Sequence, residues 1–212
     1  MTAWSFRPFS RLLLAAALFA IGAASPARAG DTSELLADAG RTVNNLRHDP
    51  AFATARAMLR DAKAIYIVPK LVKGGFIFGA EGGDGVLLRR RGKSWSAPKF
   101  YTMGSASFGL QVGLEQAQLV FIINSDRALS GIEKGNVKLG AGAGLTVVNL
   151  SSGAEGATTV HGGDMVVWAS GSGAYAGLTF NGTVIRPDKH LNAQPASGPE
   201  ARRLRANLSS LL

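Results

Sequence analysis

The fold class follows from residues 64–88, which read AIYIVPKLVKGGFIFGAEGGDGVLL. The stretch combines β-branched and aromatic residues with glycines, a composition typical of strands joined by tight turns. Similar apolar runs recur at 119–123, 145–148 and 165–168, and 23 of the 27 glycines fall between Gly74 and Gly182. Asp84-Gly85 and Asn181-Gly182 suit type I′ hairpin turns, whose two central residues take positive φ. The pattern predicts a glycine-rich, mainly antiparallel β-sheet or sandwich.

Helices are expected before and within this sheet. Residues 31–62 carry apolar side chains at intervals of three and four, which predicts two N-terminal helices packed on the sheet. Ser125 or Asp126 can cap an inserted helix over 127–134, and Gly135 can end it. The predicted fold class is therefore α+β.

A basic amphipathic helix is expected at the C-terminus. Residues 200–211 place Leu204, Leu208 and Leu211 on one helical face and Arg202, Arg203 and Arg205 elsewhere. Such a helix would either lie on a membrane or dock on the sheet. Together with the polar linker before it, this helix forms a predicted C-terminal segment over 191–212, which follows a main domain over 30–190.

The first 29 residues have the features of a secretory signal. Arg7 and Arg11 precede an apolar run over 12–24, and Ala27-Arg28-Ala29 is a small-residue cleavage pattern. The run is shorter than the ~20 apolar residues that cross a bilayer. We expect cleavage before Gly30, with an uncleaved anchor as the alternative. The absence of cysteine is compatible with export. The expected location is the periplasm or outer-membrane periphery of a Gram-negative bacterium.

Composition argues against most catalytic chemistry. The 212 residues include no cysteine and only three widely spaced histidines, so a thiolate or histidine-built metal centre is not expected. Gly140-Ala-Gly-Ala-Gly144 precedes a predicted strand, whereas a dinucleotide fingerprint precedes a helix. Alternating glycines would instead leave a bare strand face that a protein partner of the cell envelope could approach. No Gly-x-Ser-x-Gly nucleophile elbow is present, and His161-Gly-Gly-Asp164 is typical of a loop. We expect no catalytic residue, no metal and no cofactor.

The positive charge of the chain is local. The whole sequence carries +9, and residues 56–99 alone hold ten basic and three acidic side chains, whereas residues 100–185 carry −2. The densest run is Arg89-Arg90-Arg91-Gly-Lys93, with Trp95 close by. Arginine forks bind phosphate, and an interfacial indole anchors in a headgroup layer. The run therefore predicts an anionic phospholipid partner, with an ordinary solvated hairpin as the alternative. Nucleic acid is not expected as the partner of an exported protein.

Several segments carry a family resemblance. They are residues 64–88, Trp95-Ser-Ala-Pro98, Gly104-Ser-Ala-Ser-Phe-Gly-Leu-Gln-Val-Gly113 and Ala176-Gly-Leu-Thr-Phe-Asn-Gly-Thr-Val-Ile-Arg-Pro-Asp188. Over residues 35–190 the chain resembles the SYLF-domain family, also called the Ysc-type actin-binding domain. The resemblance implies a non-catalytic binding module, with phosphoinositide and actin binding in eukaryotic members and lipid binding in exported bacterial members. The actin activity is not carried over to a protein of the bacterial envelope.

The candidate lipid-binding residues come from the resemblance and from charge. Lys70 and Lys73 lie in the segment shared with the family, whereas Arg89, Arg90, Arg91 and Lys93 are chosen on charge alone. The chain departs from many relatives at 170–177, where it lacks the basic residue that they carry before the glycine. The leading hypothesis is an exported protein that binds anionic phospholipid or phosphoinositide-like headgroups through this basic surface. A structural or protein-interaction module of the cell envelope is the alternative.

Overall fold

The computed structural model describes residues 29–75, 78–108, 114–135, 137–139, 145, 147–151, 163–171 and 182–212. Within these ranges the chain forms four α-helices: α1 (Ala29–His48), α2 (Phe52–Leu59), α3 (Asp126–Glu133) and α4 (Pro199–Ser209). The same ranges contain nine strands: β1 (Ala64–Gly75), β2 (Phe78–Arg91), β3 (Ser94–Trp95), β4 (Lys99–Phe108), β5 (Leu114–Ile123), β6 (Val137–Leu139), β7 (Val147–Ser151), β8 (Met165–Gly171) and β9 (Thr183–Pro187). The α+β class is confirmed.

The strands form one sheet with β1 near its centre. Their order is β6-β9-β4-β2-β1-β5-β8-β7, and the short β3 pairs with the end of β2. Neighbouring strands run antiparallel, except that β7 runs parallel to β8. The predicted mainly antiparallel sheet is therefore confirmed.

Both faces of the sheet are covered. Successive side chains of a strand point to opposite faces, so Ile65 and Ile67 of β1 join one apolar cluster while Tyr66 and Val68 join another. The first cluster packs under α1, α2 and α4, and the second packs under α3. Burial on both sides explains why residues 64–68 are continuously apolar rather than alternating.

The second cluster extends across most of the sheet. Strands from opposite ends of the strand order contribute to it, for example β6 through Val137 and β8 through Val167. The helix α3 lies against this face of the sheet through Ala128, Leu129 and Ile132, which are all buried. Ser125, one of the two capping residues that the sequence allows, caps α3 by accepting a hydrogen bond from the Ala128 amide at 3.1 Å.

The prediction of a hairpin turn at Asp84-Gly85 is wrong. Both residues lie inside β2, where Asp84 is in register with Thr102 and Gly85 with Tyr101. The glycine is required for a different reason, because a Cβ at Gly85 would lie 2.5 Å from the Tyr66 ring. The other predicted turn falls on Asn181, which is outside the described residues, and on Gly182, which has a φ of +76°. The alternating glycines at 140, 142 and 144, His161 and residues 1–28 also lie outside the described ranges.

The C-terminal helix docks on the body of the protein. Leu204, Leu208 and Leu211 are buried in the cluster under α1, which confirms docking over a membrane-lying helix. Arg47 of α1 donates to the Asn207 carbonyl at 3.3 Å and to the Ser210 hydroxyl at 2.6 Å. These contacts join α4 to α1, so the C-terminal helix is part of the same core.

Candidate anion-binding surface

The β2–β3 turn presents two exposed cations. Arg91 ends β2, Gly92 turns the chain with a φ of +62°, and Lys93 precedes β3. Arg91 and Lys93 are both exposed, and neither side chain forms an ion pair within the described part of the chain. Both charges therefore remain available to a ligand.

Arg89 and Arg90, which precede this turn, point to opposite faces of the sheet. The Nη1 of Arg89 lies 3.3 Å from Oε1 of Glu133, the last residue of α3. Arg90 instead donates through Nη1 to the Leu59 carbonyl and through Nε to the Gly92 carbonyl at 2.8 Å. Strand alternation separates the two guanidinium groups, so the four basic residues of the run do not form a single cluster on one face of the sheet.

Two further cations join this end of the sheet. Arg60 and Lys63, in the connection from α2 to β1, line an open depression of about 400 Å³ together with Arg89, Arg90 and Gly92. The Lys63 amide donates to the Ile123 carbonyl at 2.7 Å, and its carbonyl accepts from the Arg90 amide at 2.8 Å. The backbone of this connection is thereby fixed against β5 and β2. We call the resulting set the basic end; it consists of Arg60, Lys63, Arg89, Arg90, Arg91 and Lys93.

Acidic side chains partly neutralise the basic end. Asp61 and Asp126 line the same depression, and the Nζ of Lys63 lies 3.5 Å from Oδ2 of Asp126. Glu133 pairs with Arg89. The basic end therefore carries an excess of three positive charges over these three carboxylates. The same ion pair also affects the Tyr101 hydroxyl: burial raises its pKa, Glu133 raises it further, and Arg89 lowers it in part.

Lys70 and Lys73 lie towards the other end of the same hairpin. Ala64 is in register with Arg89, and Lys70 is six residues further along β1, which is about 20 Å at ~3.3 Å per residue. Lys70 is exposed in a separate depression that it shares with Asp38 and Arg41 of α1. Lys73 lies in register between Glu81 of β2 and Glu115 of β5. The structure thus divides the six predicted residues into two groups instead of one patch.

The prediction that Trp95 anchors in a headgroup layer is wrong. The side chain is 1% exposed and belongs to the cluster under α1 and α4. The Trp95 carbonyl accepts a hydrogen bond from Nε of Arg205 in α4 at 2.9 Å, and the Arg90 guanidinium lies 5.9 Å from the Trp95 ring centroid. Trp95 therefore packs in the core next to the β2–β3 turn, and its indole is not exposed to contact a headgroup layer.

Sequence reasoning missed four residues of this surface. Arg60 and Lys63 lie in the basic stretch over 56–99 but are not among the predicted site residues, and no local pattern places Asp126 and Glu133 beside Arg89. The charge of residues 56–63 was the available signal. The contribution of α3 depends on a chain reversal more than thirty residues downstream, which local patterns do not reveal.

Other polar groups have structural roles. Asp164 accepts from the Ser125 hydroxyl at 2.5 Å and from Arg127 at 2.7 Å, which fixes the start of α3 against β8. Among the described residues there is no group of three or more His, Asp or Glu side chains arranged to hold a metal ion. Within the same ranges, no helix has both the length and the apolar character needed to cross a bilayer.

Comparison with known proteins identifies the family. Residues 104–195 match the family model Ysc84, described as Las17-binding protein actin regulator. Protein YSC84 of Saccharomyces cerevisiae is 34% identical over 140 residues, which are 64% of this chain and 30% of the yeast protein. The SH3 domain-containing YSC84-like protein 1 of Rattus norvegicus is 30% identical over 150 residues, which are 69% of this chain and 44% of the rat protein.

The match covers only part of those proteins. The chain spans less than half the length of the yeast and rat relatives. No solved structure matches the chain. The family match includes the end of β4, all of β5 to β9, and α3, the helix that packs on the face of the sheet opposite α1. Its motifs, the family match and the similarity to these relatives together show that this chain carries a domain of the Ysc84 type, also called the SYLF domain.

Proposed function

We propose that this protein is a non-catalytic module that binds anionic phospholipid surfaces through its basic end. The observation that carries the proposal is the exposure of Arg91 and Lys93 at a turn, without ion-pair partners among the described residues, beside a depression lined by four more cations. Guanidinium groups bind phosphate oxygens in pairs, and ammonium groups act as point charges. A phospholipid headgroup layer offers phosphates in the plane that such a turn can reach.

The expected affinity follows from the number of free cations. Each basic residue near an anionic membrane contributes about 1 kcal/mol, and the contribution falls within a Debye length of ~10 Å at ordinary salt. Within the described ranges the side chains of Arg91 and Lys93 form no hydrogen bond or ion pair that binding would break, so we expect them to contribute fully. Arg89 and Lys63 must first leave their carboxylates. We therefore assign the largest effect to the turn.

The test is co-sedimentation with phosphatidylcholine vesicles, with and without phosphatidylglycerol, at low salt. The double variant Arg91→Gln/Lys93→Gln should bind the anionic vesicles about 30-fold more weakly, as expected for two contacts of ~1 kcal/mol each. The matched control is Arg202→Gln/Arg203→Gln, which removes the same charge from exposed positions of α4. Equal binding to neutral and anionic vesicles contradicts the proposal, as does an equal loss in the two variants.

Lys70 and Lys73 form a separate part of the proposal. They lie in the segment shared with the family but outside the basic end, so a flat membrane that contacts the β2–β3 turn would reach them less directly. The variant Lys70→Gln/Lys73→Gln removes the same charge as the turn variant. We expect this variant to lose less vesicle binding than the turn variant does. A larger loss would indicate that the membrane contacts the protein nearer to α1 and β5.

The location of the protein is also a proposal. The support is the pattern of Arg7, Arg11, the apolar run and the small-residue motif before Gly30. Fractionation of a Gram-negative host, followed by N-terminal sequencing, should yield an exported chain that begins at Gly30. Recovery of the chain from the cytoplasmic fraction with its first 29 residues still attached would contradict this part of the proposal.

The second candidate function is protein binding. It is favoured by the family description, which names a Las17-binding protein and actin regulator, and by the yeast relative named LAS seventeen-binding protein 3. Because the chain spans 30% of that relative, binding to a comparable protein partner is a proposal for this chain. Cross-linking in cells that captures one protein, with no loss in the turn variant and no dependence on anionic lipid, would favour this function over membrane binding.

A further inference from the structure

We propose that Asp126 and Glu133 of α3 are selectivity-determining residues, which compete with an anionic membrane for Lys63 and Arg89 and so restrict binding to surfaces of high negative charge density. This inference rests on the proposed function of the basic end. It gives a functional role to two carboxylates whose negative charge would otherwise only weaken the attraction to an anionic membrane.

The two carboxylates lie on one side of α3. Asp126 is the first residue of the helix and Glu133 the last, so they are seven residues and almost two turns apart. This spacing is about 10 Å along the helix axis at ~1.5 Å per residue. Asp126 reaches Lys63 at 3.5 Å and Glu133 reaches Arg89 at 3.3 Å. Lys63 directly precedes Ala64, which is in register with Arg89, so both cations belong to the same end of the sheet.

The helix is held firmly enough to keep its carboxylates there. Ala128, Leu129 and Ile132 bury the inner side of α3 in the second apolar cluster. At the N-terminal end, Ser125 and Arg127 both contact Asp164 next to β8. The position of Asp126 and Glu133 is therefore set by the core and does not depend on their ion pairs with the basic end.

Both ion pairs are at least partly exposed and therefore easy to open. The side chain of Lys63 is 48% exposed and that of Asp126 is 82% exposed; for Arg89 and Glu133 the values are 55% and 29%. Exposed pairs of this kind contribute little to stability. Lys63 and Arg89 can thus turn towards a membrane without a large loss, provided that the membrane supplies enough phosphate to replace the carboxylates.

Competition of this kind produces a threshold. A sparsely charged surface meets Arg91 and Lys93 but does not displace the α3 carboxylates, which also repel it. A densely charged surface recruits Lys63 and Arg89 as well. Discrimination by repulsive groups placed beside attractive ones is a general route to specificity.

The test measures binding to vesicles of phosphatidylcholine with increasing phosphatidylglycerol. The variant Asp126→Asn/Glu133→Gln should bind at a lower fraction of phosphatidylglycerol, and its partition coefficient should rise about two- to fivefold for each carboxylate removed. The matched control Glu34→Gln/Glu200→Gln makes the same change in net charge on α1 and α4, with Glu34 exposed and Glu200 paired with Arg203. The control should shift binding much less. Equal shifts in the two variants would overturn the proposal, because net charge would then explain the effect.

A double-mutant cycle tests the local mechanism. In an Arg89→Gln background, Glu133→Gln should raise the partition coefficient less than it does in the natural protein, since the cation for which Glu133 competes is gone. Equal effects in both backgrounds would overturn the competition. If the natural protein binds anionic vesicles and the α3 variant binds no better, the α3 inference fails while the proposed function stands. If neither the natural protein nor the α3 variant binds, both fail.

Discussion

The carbonyl oxygen of Lys70 occupies the space that a side chain at Gly83 would need. A Cβ built on Gly83 would lie 2.4 Å from that oxygen and 3.0 Å from Cγ1 of Val68. The contact arises where the β1–β2 register shifts between Ile67 and Val72, because β1 has one more residue there than β2. A β-bulge of this kind brings two backbones together, and glycine permits the approach.

Gly83→Ala is therefore expected to lower the free energy of unfolding by about 1–3 kcal/mol, the usual cost of overpacking a core, because a backbone oxygen cannot move aside as a side chain does. Urea denaturation measures the effect. The matched control is Gly82→Ala in the same strand, where the nearest atom to the new Cβ is 3.5 Å away. Similar midpoints for the two variants would contradict the account of the bulge.

Arg90 and Arg91 are adjacent but should respond differently to substitution. Arg90 donates to the Leu59 carbonyl at the end of α2 and lies over Trp95, whereas the Arg91 guanidinium has no such contact among the described residues. Arg90→Gln should cost about 1–2 kcal/mol through the lost hydrogen bond and cation–π contact. Arg91→Gln should leave the thermal midpoint almost unchanged and reduce vesicle binding. The reverse order of stabilities would show that the two side chains have been assigned to the wrong roles.

Ser125 should contribute to stability through α3. Its hydroxyl accepts from the Ala128 amide and donates to Asp164. Loss of an N-cap costs about 0.5–2 kcal/mol, so Ser125→Ala should lower the denaturation midpoint measured by circular dichroism. Ser130→Ala, inside the same helix, is the control and should have little effect, since alanine has the higher helix propensity. An unchanged midpoint for Ser125→Ala would contradict the capping role.

Alkaline pH should destabilise the protein through two buried tyrosines. Burial raises the pKa of Tyr66 well above its usual value, with Asp84 and Tyr101 adding to the shift, and burial also raises the pKa of Tyr101. Above pH ~10 the unfolded chain loses these protons before the folded chain does, so the free energy of unfolding falls as pH rises. The test is to measure the urea midpoint at pH values between about 8 and 11, a range that brackets the ordinary tyrosine pKa of ~10.

The control for the alkaline effect is Tyr66→Phe. This substitution removes the phenolic hydroxyl and its hydrogen bond to the Tyr101 carbonyl at 3.2 Å. The free energy of unfolding at neutral pH should fall by about 1 kcal/mol as a result. The substitution should also make the midpoint fall less steeply with pH. An equal slope in the variant would assign the alkaline loss to other groups.

The elements that could be predicted from the sequence are those built from local patterns. The strand over 64–68 is marked by β-branched and aromatic residues, and α3 by Ser125, three apolar positions and Gly135. In both cases the residues that define the element lie within about three helical turns or a few strand positions of one another. The apolar face of α4 fits either a membrane or the sheet, so the sequence alone does not decide between these two surfaces.

The errors came from positions whose surroundings are distant in sequence. Gly85 is required by Tyr66, its neighbour across the β1–β2 pair, and this requirement resembles a turn signal when only the adjacent Asp84 is considered. Trp95 is buried because α4, more than a hundred residues later, covers it. Neither neighbour is visible in the local pattern. The same holds for Glu133, which lies in α3 and meets Arg89 across the end of the sheet.

The sequence by itself determined the α+β class, the resemblance to the Ysc84 family, and the concentration of positive charge in residues 56–99. These properties depend on composition, short periodicities and motifs that the chain carries whatever its neighbours are. Only the tertiary structure decided which cations lie near one another. Strand alternation sends Arg89 and Arg90 to opposite faces, strand length separates Lys70 from the turn, and the packing of α3 places two carboxylates beside the basic end. Electrostatic interactions depend on distance in space, and in this fold that distance is set by the sheet and its helices rather than by position in the chain.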